Sequence, residues 1–416
     1  MAKAADNRVK KKEKTGLLNG IPTSIKDLVP VKGVRTTFGS KMYEDNIPDE
    51  DAIVVKRLRD AGCVIMGKTN TPELGHKGVT DNLIFGITRN PWNLKKTSAG
   101  SSGGAAAAVA MGMGPLAQGS DGGGSIRHPA SFCGVYGLKT SFGRVPKYPR
   151  NFISAQTLSV TGPIVNYVSD AALMLDAMKG HFEGDRFSLP SNNVNYTDRF
   201  KEIPDKLRVG YSFDLGFAKV VHNEVKESVM KSIDKFAELD WSIEHVNIKR
   251  TRIQEAFSTN WLVTFAYELK PLLRKWRDKL DPSLVKFVES GLNFGASALP
   301  SSMKIREKFY HEIYKVFQNY DILITPSTAV TAFDLGISYP STIEGKAVSP
   351  TGWQPFTFPF NMTGNPAASI PCGFDSDGLP ISMQIVGRMF DELTVLQVSK
   401  AFEEIAPWQN KRPTIN

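Results

Sequence analysis

The sequence is poor in cysteine. Only three cysteines occur among its 416 residues, Cys63, Cys133 and Cys372, and none of them belongs to a CxxC pair. A disulfide framework, a thiolate zinc site and a CxxC redox motif are therefore all unsupported. Each cysteine stands in an apolar setting, which predicts three small core residues in a protein of a reducing compartment.

Long hydrophobic runs are also missing. The first residues, MAKAADNRVKKKEK, contain no apolar segment of the kind that a secretory signal peptide needs. The longest run of small and apolar residues, 104–117, is shorter than the roughly 20 residues that cross a bilayer. We therefore predict a soluble protein of the cytoplasm with no membrane partner.

Basic residues are in modest excess. The net charge is +9, from 51 lysines and arginines against 42 acidic residues, and part of the excess lies at residues 10–14. A basic surface can attract nucleic acid or anionic lipid. A short charge run is weak support for either partner, so we interpret this one as a solvated lysine-rich face without nucleic acid.

Short strand-like runs alternate with helical ones. We predict strands at 21–27, 63–68, 207–214, 320–327, 367–374 and 380–388. We predict helices at 51–62, 101–114, 170–180, 222–239 and 391–405. This alternation predicts an α/β fold in which a mixed, twisted central sheet is covered by helices on both faces. No repeat or low-complexity linker divides the chain, so we expect a single domain, 1–416, with a mostly helical insertion at about 215–320.

Two segments rich in glycine and serine, 98–108 and 119–127, stand close together. Neither contains the GxxxxGK[ST] pattern of a phosphate-binding loop, and neither has the GxGxxG spacing of a dinucleotide site. A nucleotide cofactor is therefore not expected at either segment.

In the second segment, Gly122, Gly123 and Gly124 run directly into Ser125. Because glycines have no Cβ, their backbone can approach a ligand closely. Successive N–H groups can then line an oxyanion hole for a carbonyl that Ser125 attacks. The alternative is a tight turn in which Ser125 caps the next helix, and GGGS alone does not decide between the two.

A serine nucleophile needs a base, and histidine is a poor candidate here. No nearby carboxylate is placed to orient His128, and the loop is not GxSxG because Arg127 occupies the last glycine position. Lys26 is the other candidate, since it follows an apolar strand where desolvation favours a neutral amine. Taken alone, the pattern is better explained by a Lys26 that pairs with Asp27 or reaches solvent.

Three segments together resemble the amidase signature family in their order and spacing. They are GIPTSIKD at 20–27, AGSSGGAAAA at 99–108 and GSDGGGSIRHPASFCGVYGLKTSFGRVP at 119–146. Further segments, among them NPWN at 90–93 and FNMTGNPAASIPCGF at 360–374, extend the likeness over nearly the whole chain. The resemblance implies the amidase signature fold.

The resemblance also implies roles for individual residues. Ser125 corresponds to the acylated nucleophile, Ser101 to the cis-peptide serine that relays protons, and Lys26 to the general base. The implied activity is hydrolysis of small carboxylic amides to an acid and ammonia or an amine, with no metal or organic cofactor. The expected oxyanion-hole and substrate-binding positions are Gly122, Gly123, Gly124 and Ser102.

Two other functions stay open. One is the glutaminase subunit of a tRNA-dependent amidotransferase, which usually carries a GxEVxxRI-like segment whose arginine is absent from 281–299. The other is a non-catalytic basic binding protein, which the intact Lys26, Ser101 and Ser125 argue against. The resemblance leaves a homodimer open.

Two further expectations concern the N-terminus and an aromatic segment late in the chain. Family members usually carry several tens of helical residues before the lysine motif, so these N-terminal helices are expected to be missing here. An aromatic segment, 351–361, offers Trp353, Phe356 and Phe358 either as the lining of an acyl pocket or as plain core.

Overall fold

A computed structural model describes residues 1–150, 157–191 and 193–414. Its strands are β1 Pro22–Lys26, β2 Val64–Thr69, β3 Asp81–Asn82, β4 Gly86–Ile87, β5 Arg89–Asn90, β6 Asn93–Thr97, β7 Leu116–Asp121, β8 Tyr136–Lys139, β9 Val160–Val165, β10 Arg208–Tyr211, β11 Ser242–His245, β12 Ile322–Pro326, β13 Thr342–Ile343, β14 Lys346–Ala347, β15 Ala367–Phe374 and β16 Pro380–Gly387. Its α-helices are α1 Ala2–Lys10, α2 Ile53–Asp60, α3 Gly103–Ala110, α4 Arg127–Cys133, α5 Val168–Met178, α6 Tyr196–Arg199, α7 Asn223–Lys235, α8 Ile253–Trp276, α9 Pro282–Leu292, α10 Ala298–Asn319, α11 Phe358–Thr363 and α12 Glu392–Ile405.

Ten of these strands form one mixed sheet in the order β11-β10-β12-β16-β15-β8-β9-β7-β1-β2. The pairs at its two ends are parallel, β10 with β11 and β12 at one end and β1 with β2 and β7 at the other. The five pairs between them are antiparallel. The predicted fold class, α/β with a mixed central sheet, is confirmed.

Helices cover both faces of this sheet. Helices α5, α7 and α12 pack on one face, and α3, α4 and α10 pack on the other. The strand residues divide accordingly, since side chains alternate between the faces of a sheet. In β12, Ile322 and Ile324 lie in the core under α7 and α12, whereas Leu323 lies in the core under α8 and α10.

Most predicted elements are found within two or three residues of their predicted ends. The helix predicted at 101–114 is shorter, Gly103–Ala110, and the chain leaves it through Gly112, whose φ of 69° lies in the left-handed region. Cys63 and Cys133 are buried as predicted, whereas Cys372 is partly exposed. The single-domain organisation stays a prediction; the described α-helices and strand within 215–320 are α7 to α10 and β11, with two short 3-10 helices, Phe236–Leu239 and Arg277–Lys279.

Residues 10–14 are exposed, as the interpretation of a solvated face requires. Among the helices within the three described ranges, none has both the length and the apolar character that crossing a bilayer demands.

Strands β1 and β7 bring the candidate site together. They are parallel neighbours in which Thr23 pairs with Leu116 and Ile25 with Gln118. Parallel strands end at the same edge of a sheet, which is where α/β proteins place their binding sites. Lys26 at the end of β1 therefore lies beside the loop that follows Asp121 at the end of β7.

Candidate active site

Lys26 is completely buried and surrounded by hydroxyl groups. Its Nζ lies 2.7 Å from Ser101 Oγ, 2.8 Å from Ser102 Oγ and 3.1 Å from Ser120 Oγ. Burial lowers the pKa of Lys26 well below its usual range, while the charge of Asp121 acts in the opposite direction. The site therefore favours the neutral amine, which can accept a proton.

The alternative pairing of Lys26 with Asp27 is wrong. Asp27 forms an ion pair with Lys68, at 2.9 Å, and accepts a hydrogen bond from the Thr37 hydroxyl at 2.5 Å. Successive side chains point to opposite sides of an extended chain, so the carboxylate is turned away from Lys26.

Ser101 connects the lysine to an open cavity. The Gly100–Ser101 peptide bond is cis, and Ser101 is almost fully buried. One cavity of about 100 Å³, cavity A, is lined by both Ser101 and Ser125. The structure thus brings the three residues predicted for catalysis to one region: Lys26 contacts Ser101, and Ser101 lines the same cavity as Ser125.

Ser125 lies where two cavities meet. Besides cavity A it lines cavity B, of about 220 Å³, which extends over Gly123 and His128. The alternative role of Ser125 as a helix cap is wrong, because α4 starts at Arg127 with Ile126 at its N-cap and no side-chain capping bond.

The glycines around Ser125 differ in their hydrogen bonds. Within the described residues, the backbone N–H groups of Gly122, Gly123 and Ser125 have no acceptor. The Gly124 N–H instead donates to Asp121 Oδ1 at 2.7 Å. Backbone N–H groups without partners at the wall of a cavity are available to a ligand oxygen, so Gly124 is corrected from an oxyanion donor to part of the loop's own framework.

Ser102 also needs correction. Its side chain is fully buried, accepts a hydrogen bond from Lys26 Nζ and donates to the Ser120 carbonyl at 3.2 Å. Its backbone N–H donates to the Ser125 carbonyl at 3.1 Å. With both donors engaged inside the protein, Ser102 positions Lys26 and the Ser125 loop and does not contact the cavity.

A buried ion pair that sequence reasoning missed holds the Ser125 loop. Asp121 and Arg127 are both inaccessible to solvent and lie 2.9 Å apart. The Asp121 carboxylate also accepts the backbone N–H groups of Gly124 and Ile126. Arg127 lowers the pKa of Asp121, so the carboxylate stays ionised. Arg127 is part of the sequence motif around Ser125. The neighbouring sequence does not indicate its hydrogen-bond partners, which lie on distant segments: Thr357, Asn361 and Gln384.

We expect Arg127→Met to destabilise the fold by about 3–5 kcal/mol, because it leaves the Asp121 charge buried and unpaired. Urea unfolding followed by circular dichroism measures this effect. Arg252→Met is the matched control, since Arg252 lies on the surface and pairs with the exposed Glu255. Equal unfolding midpoints for the two variants would contradict the role of the buried pair.

Aromatic side chains from α8 form a wall of the site. Phe257 and Trp261 both line cavity B, and a Cβ at Gly123 would lie 2.6 Å from the Phe257 ring. Glycine is therefore required where this ring meets the loop. The helical spacing of aromatic residues in α8 indicates only a packed face, and no local signal distinguishes a core aromatic from one that faces a cavity.

The aromatic segment 351–361 divides between the two expected roles. Trp353 lines cavity B, although it is almost fully buried. Phe356 and Phe358 are fully buried, and Phe358 stacks on Phe257 with ring centroids 4.8 Å apart. Trp353 thus fits the pocket interpretation, and the two phenylalanines fit the core interpretation.

The histidines near the site are held neutral. Burial lowers the pKa of His128 to about 3 and that of His76 to about 4. His128 Nε2 lies 2.5 Å from Thr357 Oγ1. In the part of the chain that the structure describes, no group of three histidine, cysteine or acidic side chains is arranged to hold a metal ion.

Comparison with known proteins gives consistent matches along the chain. A family model described as Amidase matches residues 1–396. An acylamidase of Rhodococcus erythropolis is 38% identical over 409 residues, covering 96% of this chain and 84% of the relative. A subunit of the glutamyl-tRNA(Gln) amidotransferase of Halothermothrix orenii is 35% identical over 430 residues, covering 97% and 88%. The crystal structure of a bacterial aryl acylamidase of the amidase signature enzymes aligns with a TM-score of 0.91 at 30% identity, covering 98% of this chain and 87% of that one.

Proposed function

The chain belongs to the amidase signature family and is an amidohydrolase, and from this premise we propose that it hydrolyses acyl amides through Ser125, Ser101 and Lys26. One observation carries the proposal: the buried Lys26 Nζ lies 2.7 Å from Ser101 Oγ, and Ser101 shares cavity A with Ser125. A hydroxyl bridge lets a lysine that cannot reach solvent act on a nucleophile at the cavity wall.

Acylation begins with proton transfer along this bridge. Ser125 Oγ attacks the amide carbonyl carbon while its proton passes to Ser101, and the Ser101 proton passes to neutral Lys26. The carbonyl oxygen becomes an oxyanion, which accepts hydrogen bonds from the N–H groups of Gly122, Gly123 and Ser125. These groups have no other acceptor among the described residues, so they are available to the charge that develops.

The same bridge then serves the leaving group. Lys26, now an ammonium, returns a proton through Ser101 to the amide nitrogen, and the C–N bond breaks. The acyl group remains as an ester on Ser125. A water molecule attacks this ester with Lys26 again as the base, which releases the acid and restores the free serine.

The acyl part of the substrate is proposed to be bulky and apolar. Cavity B is walled by Phe257, Trp261 and Phe287, and the same rings also line a larger cavity of about 720 Å³ beyond it, cavity C. Aromatic walls of this kind favour apolar ligands. The relatives named acylamidase and aryl acylamidase support this choice.

The glutaminase of a tRNA-dependent amidotransferase is the second candidate, because the amidotransferase relative from Halothermothrix orenii is 35% identical over almost the whole chain. Against it, α9 contains no arginine at the segment where such glutaminases usually carry one. The apolar walls of cavities B and C also fit the polar side chain of glutamine poorly.

We expect the chain, purified without partner proteins, to hydrolyse N-substituted benzamides with a kcat/KM about tenfold to a hundredfold above that for glutamine. Burying one aromatic ring in cavity B is worth roughly 1.5–3 kcal/mol, which gives this ratio. Released benzoate, released ammonia and released glutamate are the readouts. A preference for glutamine, or turnover only after a second protein is added, would favour the amidotransferase.

A further inference from the structure

The two cavities that meet at Ser125 differ in charge. Cavity B is lined by Lys77, whose charge is neutralised by Asp81 at 2.9 Å and Asp281 at 2.8 Å. Cavity A is lined by two cations, Lys147 and Arg150. Arg150 pairs with Asp185 at 2.8 Å, whereas Lys147 forms no ion pair within the described residues. The two halves of a bound amide therefore meet different electrostatic surroundings.

Lys147 is a cation, and the neighbouring carboxylate of Asp185 already binds other groups. Its Nζ donates to Ser159 Oγ at 2.7 Å and, within the described ranges, forms no ion pair. Asp185 is engaged by Arg150, at 2.8 Å, and by the Lys147 backbone N–H. Burial and the neighbouring Arg150 lower the pKa of Lys147 to about 8, while Asp185 acts in the opposite direction. An anion in cavity A would complete the surroundings of this ammonium.

The position of Ser101 determines which half of the substrate enters cavity A. The amide nitrogen must receive its proton from Ser101 before it leaves, so it must lie close to that hydroxyl. Ser101 lines cavity A and not cavity B, whereas Phe257 and Phe287 line cavity B and not cavity A; the Trp261 ring lines both. The amine half is thus directed into cavity A and the acyl half into cavity B.

We propose that Lys147 binds a carboxylate on the amine half, so that the preferred substrates are N-acyl derivatives of small aminocarboxylates with a bulky apolar acyl group. This proposal rests on the proposed amidase function. Cavity A, at about 100 Å³, has room for roughly three waters at ~30 Å³ each, which suits an amine of the size of glycine or β-alanine. Hydrolysis consumes one water, breaks the C–N bond and yields the acyl carboxylate and the zwitterionic aminocarboxylate.

The test uses two substrates that share an acyl group and differ in charge. N-Benzoyl-β-alanine carries the carboxylate, and N-(3-methylbutyl)benzamide is its uncharged isostere. Both release benzoate, so one assay measures both. We expect wild-type kcat/KM to favour the carboxylate about tenfold to a hundredfold, the usual worth of a hydrogen bond to a charged group. A ratio of one or less in the wild type overturns the proposal and needs no variant.

Lys147 itself is tested by the ratio of the two substrates in each enzyme. Lys147→Met should bring the ratio close to one, and Lys147→Arg should keep most of it. Because both substrates are measured in the same protein, any effect of the change on folding or on Lys26 cancels. A ratio that stays high in Lys147→Met would show that another group binds the carboxylate. Failure of the proposed amidase function is distinct, because the wild type would then hydrolyse neither substrate.

Discussion

Ser125→Ala is expected to lower kcat/KM for N-(3-methylbutyl)benzamide by more than about 10³-fold. Without the hydroxyl no acyl-enzyme forms, and only the oxyanion hole and substrate binding remain to accelerate attack by water. The backbone N–H groups at Gly122 and Gly123 do not depend on the serine side chain, so the residual rate should exceed the uncatalysed one.

A fluorophosphonate label provides an independent measurement. The reagent should form an adduct with Ser125 in the wild type, located by mass spectrometry of the peptide that contains it, and Ser125→Ala should remain unlabelled. Ser131→Ala is the matched control, since Ser131 is a buried serine of α4 outside both cavities. An adduct on another serine, or full amide turnover in Ser125→Ala, would contradict the assignment of the nucleophile.

Local patterns predicted the framework of the molecule well. The apolar runs at 21–27 and 63–68 are β1 and β2, and the periodic segment at 391–405 is α12. The patterns that predict a strand or a helix, alternation and helical spacing of apolar residues, extend over only a few residues. A single segment therefore contains enough information to predict its own secondary structure. Lys26 is noticeable for the same reason, because lysine seldom follows an apolar strand directly, but its burial and its role as a base were indicated only by the resemblance to the family.

Contacts between distant segments could not be predicted in this way. Arg127 binds Asn361 and Gln384, more than 200 positions further along the chain, and Phe257 of helix α8 packs close to Gly123 in the loop after β7. The prediction that Gly124 is an oxyanion-hole donor was wrong for a related reason. The GGGS sequence indicates an accessible backbone, but it does not show which N–H group donates to the neighbouring Asp121 carboxylate. These features depend on how the sheet brings its loops together.

Lys26→Met is expected to lower amide turnover by about 10²–10⁴-fold, the usual contribution of general acid–base catalysis. Lys26→Arg is the informative partner, because arginine keeps the positive charge but does not release its proton in the physiological range. If Lys26 acts as a base, both variants lose activity. If Lys26 only supplies a positive charge, Lys26→Arg retains activity and Lys26→Met loses it.

The dependence of the rate on pH follows from the state of Lys26. The neutral amine is the active form, so kcat/KM should rise with pH through the pKa of Lys26 and then level off. Burial moves that pKa down, and so does the charge of Lys147, while Asp121 moves it up. Lys147→Met removes one of the groups that lower the pKa, so its rising limb should lie at higher pH than in the wild type.

Comparing esters with amides separates the two proton transfers of Lys26. An amine leaves only after it receives a proton from Ser101, whereas a nitrophenolate leaves from an ester without one. Lys26→Met should therefore lose more activity on benzamides than on nitrophenyl benzoate, and the rise with pH should flatten for both. Amide turnover within about tenfold of the wild type, below the usual worth of a general base, would show that Lys26 is structural. His128, which lies in cavity B beside Ser125, would then be the next residue to test as the base.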